Sequence, residues 1–215
     1  MKRLLPVVAL IVAVVVLAWA TNWFSAGQPN TPPSASPTDA RQRLSELAVK
    51  PAGSMAGYSR DRFPHWATVE GRCDTRETVL KRDGVDVKTD AECRAVSGSW
   101  TSPYDGETWT KASDIDIDHW VPLAAAWRSG AAEWTDERRK EFANDLTNPQ
   151  LIAVTDNVNQ SKGDQSPDQW KPPLKTYWCT YAANWIEIKH RYGLSITAPE
   201  KAALLEMLAE CAPTR

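Results

Sequence analysis

The fold is decided by Asp116-Ile117-Asp118-His119-Trp120-Val121-Pro122-Leu123, followed by Asn148 and then by Asn159-Gln160-Ser161-Lys162-Gly163-Asp164. In this set an imidazole lies beside carboxylates, and amide side chains follow downstream. Such groups can activate a water molecule and hold a hard cation against a phosphodiester. The pattern therefore predicts a site for phosphodiester hydrolysis.

The first part of this stretch predicts a β-strand. Acidic and apolar residues alternate over Asp114–Asp118, with Ile115 and Ile117 facing the core and the three aspartates on the other face. His119 then lies at the end of the strand, next to the last of these aspartates.

A second strand and a helix follow in the same region. Leu151–Val154 is a short apolar run that predicts a buried strand, and the polar segment Thr155–Gly163 leads into a helix. Asn157 or Asn159 is therefore expected near a helix start. The order strand, loop, strand, helix is a ββα arrangement within an α+β fold, in which a strand end and a helix can meet across one cation.

Caps and apolar spacing predict the other elements. They are a helix over Ser36–Lys50, a short helix opened by Asp74-Thr75-Arg76-Glu77 and running through Leu80, a hairpin of Arg94–Val96 and Ser99–Thr101, a helix over Pro122–Trp127, a helix capped by Thr135 and running through Leu146, a helix over Thr176–Tyr192 ended by Gly193, and a helix opened by Thr197-Ala198-Pro199-Glu200 that leads to Cys211.

The amino-terminal residues predict export. Lys2 and Arg3 precede an almost wholly apolar run, Leu4–Ala20, which ends in the small-x-small pattern of signal-peptidase sites. The run is long for a cleaved signal and slightly shorter than a membrane span of about 20 residues. Residues 1–24 are thus a signal peptide or an uncleaved anchor, so the protein is expected to be secreted or attached at the outer face of the cytoplasmic membrane.

Composition separates the rest of the chain into two parts. Residues 25–38 are rich in Pro and Ser and predict an extended linker. Residues 39–215 have a length suited to one globular domain with a single core.

The four cysteines of an exported chain predict disulfides. Three pairings are open, and we favour Cys73–Cys93 with Cys179–Cys211 because each closes a local loop. A zinc site is the alternative, but no Cys-x-x-Cys pair and no nearby second histidine supports it.

Charge excludes a strong global attraction to nucleic acid, because the formal net charge is −2, with 25 basic and 27 acidic residues. Any phosphate binding must therefore be local. Basic residues cluster before the motif at Arg60, Arg62, Arg72, Arg76, Lys81 and Arg82, and after it at Lys162, Lys171 and Lys175.

Other aromatic and imidazole side chains have structural interpretations. His65 stands in an aromatic-rich stretch and is interpreted as a packing or surface residue. His190 is predicted near the C-terminal end of a helix, where the dipole favours a cation. Most of the 11 tryptophans are expected in the core, with one or two available to stack on bases.

Together these residues resemble a known family. The run Asp-His-x-x-Pro, a later Asn and then Asn-x-x-Lys-Gly-Asp is similar to the HNH, or His-Me finger, nucleases. A wider resemblance, over roughly residues 60–211, is to exported actinobacterial HNH proteins related to the GmrSD-type restriction endonuclease C-terminal domain. It is carried by Arg72-Cys73-Asp74-Thr75-Arg76, Gly98-Ser99-Trp100, Ser102-Pro103-Tyr104-Asp105-Gly106, Ala126-Trp127-Arg128-Ser129-Gly130-Ala131, Phe142-Ala143-Asn144-Asp145-Leu146 and Trp170-Lys171-Pro172-Pro173.

The resemblance implies a ββα-metal (His-Me finger) core with surrounding helices and a role for each matched residue. His119 is the expected general base, acting as neutral imidazole. Asp118 and Asn159 are the expected metal ligands. Asn148 corresponds to the middle Asn of the motif, which usually braces the loop between the strands, and Lys162 is placed to pair with a phosphate.

The expected cation follows from one departure from the family pattern. Asn159 stands where many members have a final histidine, and an amide oxygen is a harder ligand than imidazole. Mg²⁺ is therefore expected, with Mn²⁺ as a substitute and Zn²⁺ disfavoured. Asp116 or Asp164 either completes an outer shell around the cation or fixes the loop.

The implied function is that of an exported, metal-dependent endonuclease that leaves 5′-phosphates. Its substrate is expected to be DNA, with RNA left open, because a water nucleophile does not demand a ribose hydroxyl. The alternatives are an exported nucleic-acid or cell-envelope binding module that has lost catalysis, and a hydrolase of another envelope phosphodiester. No protein partner is inferred.

Overall fold

The computed structural model describes Pro32 and residues 34–211, so the predicted signal or anchor segment and most of the predicted linker lie outside the described part. The fold is α+β, as predicted. The strands are β1 (Thr68–Glu70), β2 (Cys73–Asp74), β3 (Val85–Thr89), β4 (Ala95–Thr101), β5 (Thr108–Trp109), β6 (Ile115–His119) and β7 (Leu151–Thr155). The α-helices are α1 (Pro37–Glu46), α2 (Thr75–Asp83), α3 (Leu123–Arg128), α4 (Asp136–Ala143), α5 (Asp156–Lys162), α6 (Trp178–Tyr192) and α7 (Ala198–Ala209).

The antiparallel pair β6–β7 lies between two hydrophobic clusters. Ile117 pairs with Ala153 and His119 pairs with Leu151. Ile152 and Val154 belong to the larger cluster with α6 and α7, whereas Ile115, Ile117, Leu151 and Ala153 belong to the smaller one with α2 and β4. Both faces of the pair are covered, which explains why β7 is apolar up to its last residue, Thr155, and buried throughout.

Helix α5 begins directly after β7, so the predicted order of strand, strand and helix is present. The segment expected to lead into a helix is itself that helix, Asp156–Lys162. Of the two asparagines expected near its start, Asn157 lies in the first turn and Asn159 lies in the middle. The turn after it is made by Gly163, whose φ of +54° is disfavoured for other residues.

The C-terminal helices have the predicted caps and cross-link. Thr197 and Glu200 form a complete capping box at the start of α7. Gly193 ends α6 in the left-handed conformation, with φ +66°. The disulfide Cys179–Cys211 joins the first turn of α6 to the end of α7, and Cys73–Cys93 joins β2 to the turn before β4. The predicted pairing is confirmed.

The predicted hairpin around Ser97-Gly98 is wrong. Residues 95–101 form one continuous strand, β4, which pairs with β3 on one edge and β5 on the other. A Cβ atom on Gly98 would lie 2.8 Å from the Trp100 ring. The glycine thus accommodates a close approach of this indole and does not form a turn.

Several helix boundaries differ from the prediction. Helix α1 ends at Glu46, because the chain then becomes extended and Val49 bridges to Ile196. Helix α4 ends at Ala143, because the next residue, Asn144, turns its side chain to a neighbouring loop. A 3-10 turn, Lys175–Tyr177, precedes α6. In the described part of the chain, no helix is both long enough and apolar enough to cross a membrane.

Candidate active site

His119 is buried at the end of β6, with 4% of its surface exposed. Its Nε2 atom lies 2.9 Å from the carbonyl oxygen of Ala143. A carbonyl only accepts, so Nε2 carries the hydrogen and Nδ1 is left with a free lone pair in the neutral ring. Burial lowers the pKa of His119 to about 3, although the bond to Ala143 opposes this shift. The ring is therefore a neutral imidazole with one defined basic nitrogen.

Trp66 covers the imidazole. The ring centroids of Trp66 and His119 are 5.7 Å apart, with an interplanar angle of 33°. Trp66 has φ +59°, a strained conformation for a bulky residue that persists only where its neighbours fix it. Its position beside the candidate base was not predicted from sequence.

The constraint on Trp66 comes from Asn144. The Asn144 side chain accepts from Ala67 N at 2.8 Å and donates to the carbonyl of Pro64 at 2.7 Å. It also accepts from the Thr75 hydroxyl at 2.8 Å. One amide thus fastens the segment on both sides of Trp66 to the end of α4, next to the carbonyl that binds His119. Asn144 lies in one of the segments that resemble the family, but nothing in the sequence indicated this role.

Asp118 is buried and bonded to two side chains. Lys162 Nζ lies 2.8 Å from its Oδ1, and the Tyr104 hydroxyl donates to Oδ2 at 2.6 Å. Lys162 also donates to the backbone carbonyl of His119 at 3.0 Å. Burial raises the pKa of Asp118 and lowers that of Lys162, while their mutual attraction opposes both shifts.

Lys162 therefore does not fit the predicted phosphate contact. Its side chain is fully buried and its ammonium group is satisfied by Asp118 and the His119 carbonyl. A lysine in this position fixes the carboxylate and the end of β6. Lysine is rarely buried unless it is paired, and the sequence does not show which carboxylate would pair with Lys162. A surface position was therefore the default expectation.

Asn159 approaches the same region from α5. Its amide nitrogen donates to Asp116 Oδ2 at 3.1 Å. This bond orients the side chain, and the amide oxygen has no hydrogen-bond partner among the described residues. Asp116 thus fixes the orientation of the Asn159 amide on α5.

A cleft of about 260 Å³ brings three of the five predicted site residues together. It contains His119, Asp118 and Asn159, and excludes Asn148 and Lys162. The residues that line it are Arg60, Ile117, Asp118, His119, Pro122, Asn159, Gln160, Gly163 and Asp164.

Asn148 lies in a different place. Its backbone and side-chain nitrogens donate to Asp145 at 3.0 and 2.8 Å. It borders a wider depression of about 670 Å³ that contains neither His119 nor Asp118. These bonds lie in the segment between the two strands, and Asn148 does not line the cleft that contains His119.

The oxygen donors of the cleft are of the kind that a hard cation prefers. The free amide oxygen of Asn159 and the carboxylate of Asp118 are both hard ligands, and Mg²⁺ needs few protein ligands because it retains several waters. Each carboxylate oxygen has two lone pairs, so the bonds from Lys162 and Tyr104 leave acceptor capacity on Asp118. The donor set fits Mg²⁺. Within the described residues, no group of three or more His, Cys, Asp and Glu is arranged to hold a metal.

The remaining sequence candidates have structural partners. Asp164 at the cleft edge accepts from Arg128, which also donates to the Asp164 carbonyl at 2.7 Å. His190 Nε2 lies 2.8 Å from Glu46 on the surface.

Comparison with known proteins identifies the family. The family model described as "GmrSD restriction endonucleases, C-terminal domain" matches residues 74–207. The chain belongs to this family. All five predicted site residues lie within the matched region, whereas Arg60, His65 and Trp66 precede it.

The chain is also similar to a secreted protein from outside the actinobacteria. A secreted protein of the fungus Arthroderma benhamiae is 62% identical over 183 residues, which cover 85% of this chain and 90% of the relative. The expected link to actinobacterial proteins is therefore too narrow, and the relative supports secretion. No solved structure matches the chain.

Proposed function

We propose that this protein is an exported endonuclease that hydrolyses nucleic-acid phosphodiesters, with Nδ1 of His119 as the general base. The observation that carries the proposal is the bond from His119 Nε2 to Ala143, which leaves Nδ1 unprotonated beside a cleft containing Asp118 and Asn159. The membership of a restriction endonuclease family supports a nucleic-acid substrate.

In the proposed reaction His119 Nδ1 takes a proton from water, whose oxygen forms a bond to phosphorus in line with the departing 3′ oxygen. The bond between phosphorus and the 3′ oxygen breaks, and solvent protonates the leaving oxygen. The products carry a 5′-phosphate and a 3′-hydroxyl. The bond from Nε2 to the Ala143 carbonyl favours the imidazolium that forms, which offsets part of the cost of charging a buried ring.

The same site is proposed to hold Mg²⁺ through Asp118 and Asn159, with Mn²⁺ as a substitute. When bound, the cation would supply charge stabilisation on the phosphoryl oxygens. Lys162 and Tyr104 fix the carboxylate, and Asp116 orients the amide so that its oxygen remains free. Zn²⁺ is disfavoured because neither proposed ligand offers nitrogen or sulfur.

The proposal is tested by incubating the purified protein with supercoiled plasmid and with single-stranded RNA, in Mg²⁺ and in EDTA. We expect nicked and linear DNA with 5′-phosphate ends in Mg²⁺ and intact DNA in EDTA. The His119→Ala variant should lose about 10²–10⁴-fold in rate, whereas His190→Ala, a change at a surface histidine, should retain activity. Equal rates for wild type and His119→Ala, in preparations matched by circular dichroism, would refute the assignment.

A binding module without catalysis is the second candidate, favoured by the ion pair between Lys162 and Asp118, which competes with a cation for the carboxylate. It predicts retention of DNA without cleavage in the same assay. Membrane attachment through residues 1–24 is a separate proposal, to be tested by fractionation of the native source.

A further inference from the structure

The candidate active-site cleft has little positive charge with which to receive a phosphate. Among its lining residues, Arg60 is the only lysine or arginine. The lysine expected to provide this charge, Lys162, is buried on Asp118. Asp164 at the cleft edge already accepts from Arg128. Among the described residues that line the cleft, Arg60 is therefore the cationic side chain that an incoming phosphodiester would meet.

His65 orients this arginine. His65 Nδ1 lies 2.9 Å from the carbonyl oxygen of Phe63, so Nδ1 carries the hydrogen and Nε2 is an acceptor. Arg60 Nε donates to that Nε2 atom at 3.4 Å. The bond uses only the inner nitrogen of the guanidinium. Within the described part of the chain, the two terminal amino groups of Arg60 have no hydrogen-bond or ion-pair partner.

The free terminal groups suit a phosphate. A guanidinium presents two parallel N–H groups that match two phosphate oxygens, and pre-orientation reduces the entropy lost on binding. Arg60 is solvent-exposed, in a 3-10 turn, Arg60–Arg62, so these groups are accessible. A contact of this kind reads the backbone and not the bases.

We infer that Arg60 binds a backbone phosphate of the nucleic-acid strand in this cleft and that His65 is its positioning residue. The inference rests on the proposed function for the location of the strand, but it concerns binding and not cleavage. In this inference Arg60 provides the phosphate contact that was expected from Lys162. One local contact of this kind requires no global positive charge on the protein.

Arg60 is tested by fluorescence anisotropy with a labelled duplex oligonucleotide in Mg²⁺, using the His119→Ala protein to prevent cleavage. Relative to that protein, added Arg60→Gln should weaken binding equally for unrelated DNA sequences. It should also reduce the slope of log affinity against log salt by about 0.9, the contribution of one phosphate contact on duplex DNA. Arg72→Gln is the matched control, because Arg72 is an exposed arginine paired with Glu92 and outside the cleft lining.

An unchanged salt slope in Arg60→Gln, or an equal loss in Arg72→Gln, would overturn the inference. So would an absence of DNA binding by the parent protein. If the slope changes as expected while the wild-type protein never cleaves DNA, the phosphate contact stands and the proposed nuclease function fails. The two failures are thus distinguishable.

The positioning role of His65 is tested with His65→Phe, which keeps an aromatic ring but removes the acceptor. We expect weaker DNA binding when Arg60 is present and no further weakening in the Arg60→Gln background. An equal effect in both backgrounds would show that His65 does not act through Arg60. Circular dichroism of all variants controls for folding.

Discussion

His119 and Ala143 are joined by a 2.9 Å hydrogen bond that connects the end of β6 to the last residue of α4. The next residue, Asn144, fastens the segment that carries Trp66, whose indole covers the imidazole. The candidate base is therefore fixed by two parts of the chain besides its own strand, the end of α4 and the segment that carries Trp66. Because the ring is already held in one tautomer and one orientation, it loses little rotational freedom when it orients towards a reacting water. A surface histidine would lose more.

The ion pair between Lys162 and Asp118 leads to a stability prediction. Lys162→Met should lower the free energy of unfolding by about 3–5 kcal/mol, because it leaves a buried carboxylate without its counter-charge. Lys171→Met is the control, since Lys171 pairs with Glu206 at the surface and exposed pairs contribute at most about 1 kcal/mol. Urea unfolding at pH 7 measures both changes.

The outcome separates two roles for Lys162. If its ammonium instead bound phosphate in the cleft, Lys162→Met would leave unfolding unchanged and weaken substrate binding. Adding Asp118→Asn to Lys162→Met should recover part of the lost stability, because the unpaired charge is then absent. Failure of the second substitution to recover any stability would contradict the ion-pair explanation.

The proposed cation site predicts a dependence on two oxygen ligands. Asp118→Ala and Asn159→Ala should each raise the Mg²⁺ concentration for half-maximal cleavage by more than about 10-fold, since even outer-shell changes commonly cost that much. Asn157→Ala is the control, because Asn157 is an exposed amide on the same helix. Binding of Mn²⁺, followed by electron paramagnetic resonance, provides a measurement independent of turnover. Unaltered Mn²⁺ affinity in both variants would exclude these ligands.

The sequence predicted the part of the site that follows from the ββα order. Asp118 and His119 end one strand, and Asn159 lies on the helix that directly follows the strand's partner, so the pairing of the two strands brings these residues to one cleft. Alternation predicted the buried side of β6, because Ile115 and Ile117 pack in one cluster.

The part that the sequence did not predict depends on distant contacts. Tyr104 reaches Asp118 from the loop after β4, and Trp66 reaches His119 from a loop held by Asn144. The burial of Lys162 is not encoded by periodicity either, since its helix is short and mostly polar. Gly98 gave a turn signal that was overridden by packing against the Trp100 ring. In each case tertiary packing, not local preference, decides the outcome.

Removing the two disulfides should lower the free energy of unfolding by amounts that are additive to first order. Replacing Cys179 and Cys211 together by serine should cost about 3–4 kcal/mol, chiefly by releasing a long loop in the unfolded chain. The pair Cys73 and Cys93 closes a loop of 20 residues instead of 32 and should cost slightly less. Mass spectrometry of non-reduced peptides checks the pairing, and denaturant unfolding measures the loss. Free thiols in protein from an oxidising compartment would contradict the cross-links.

The buried imidazole predicts how stability changes with pH. His119 has a pKa of about 3 in the folded protein, whereas an unfolded histidine has a pKa of about 6.5. Between these values the unfolded chain binds the extra proton, so acidification favours unfolding. His119 should therefore lower the free energy of unfolding by up to about 1.4 kcal/mol per pH unit as the pH falls below about 6.5. This loss should end near the pKa of the folded protein, about 3.

Other groups also titrate in this range, so the contribution of His119 has to be isolated by comparison with a variant. Urea unfolding at pH 7, 6, 5 and 4.5 should show a steeper acid loss in wild type than in His119→Asn, which retains a polar side chain that does not titrate. The imidazole resonances of folded His119 should stay in the neutral form over the same range. Turnover should accordingly begin to fall at a pH well below 7 and not near the ordinary histidine pKa of about 6.5. A histidine that titrates near pH 6.5 in the folded protein, or equal slopes in the two proteins, would show that the ring is not held neutral as the bond to Ala143 and its burial require.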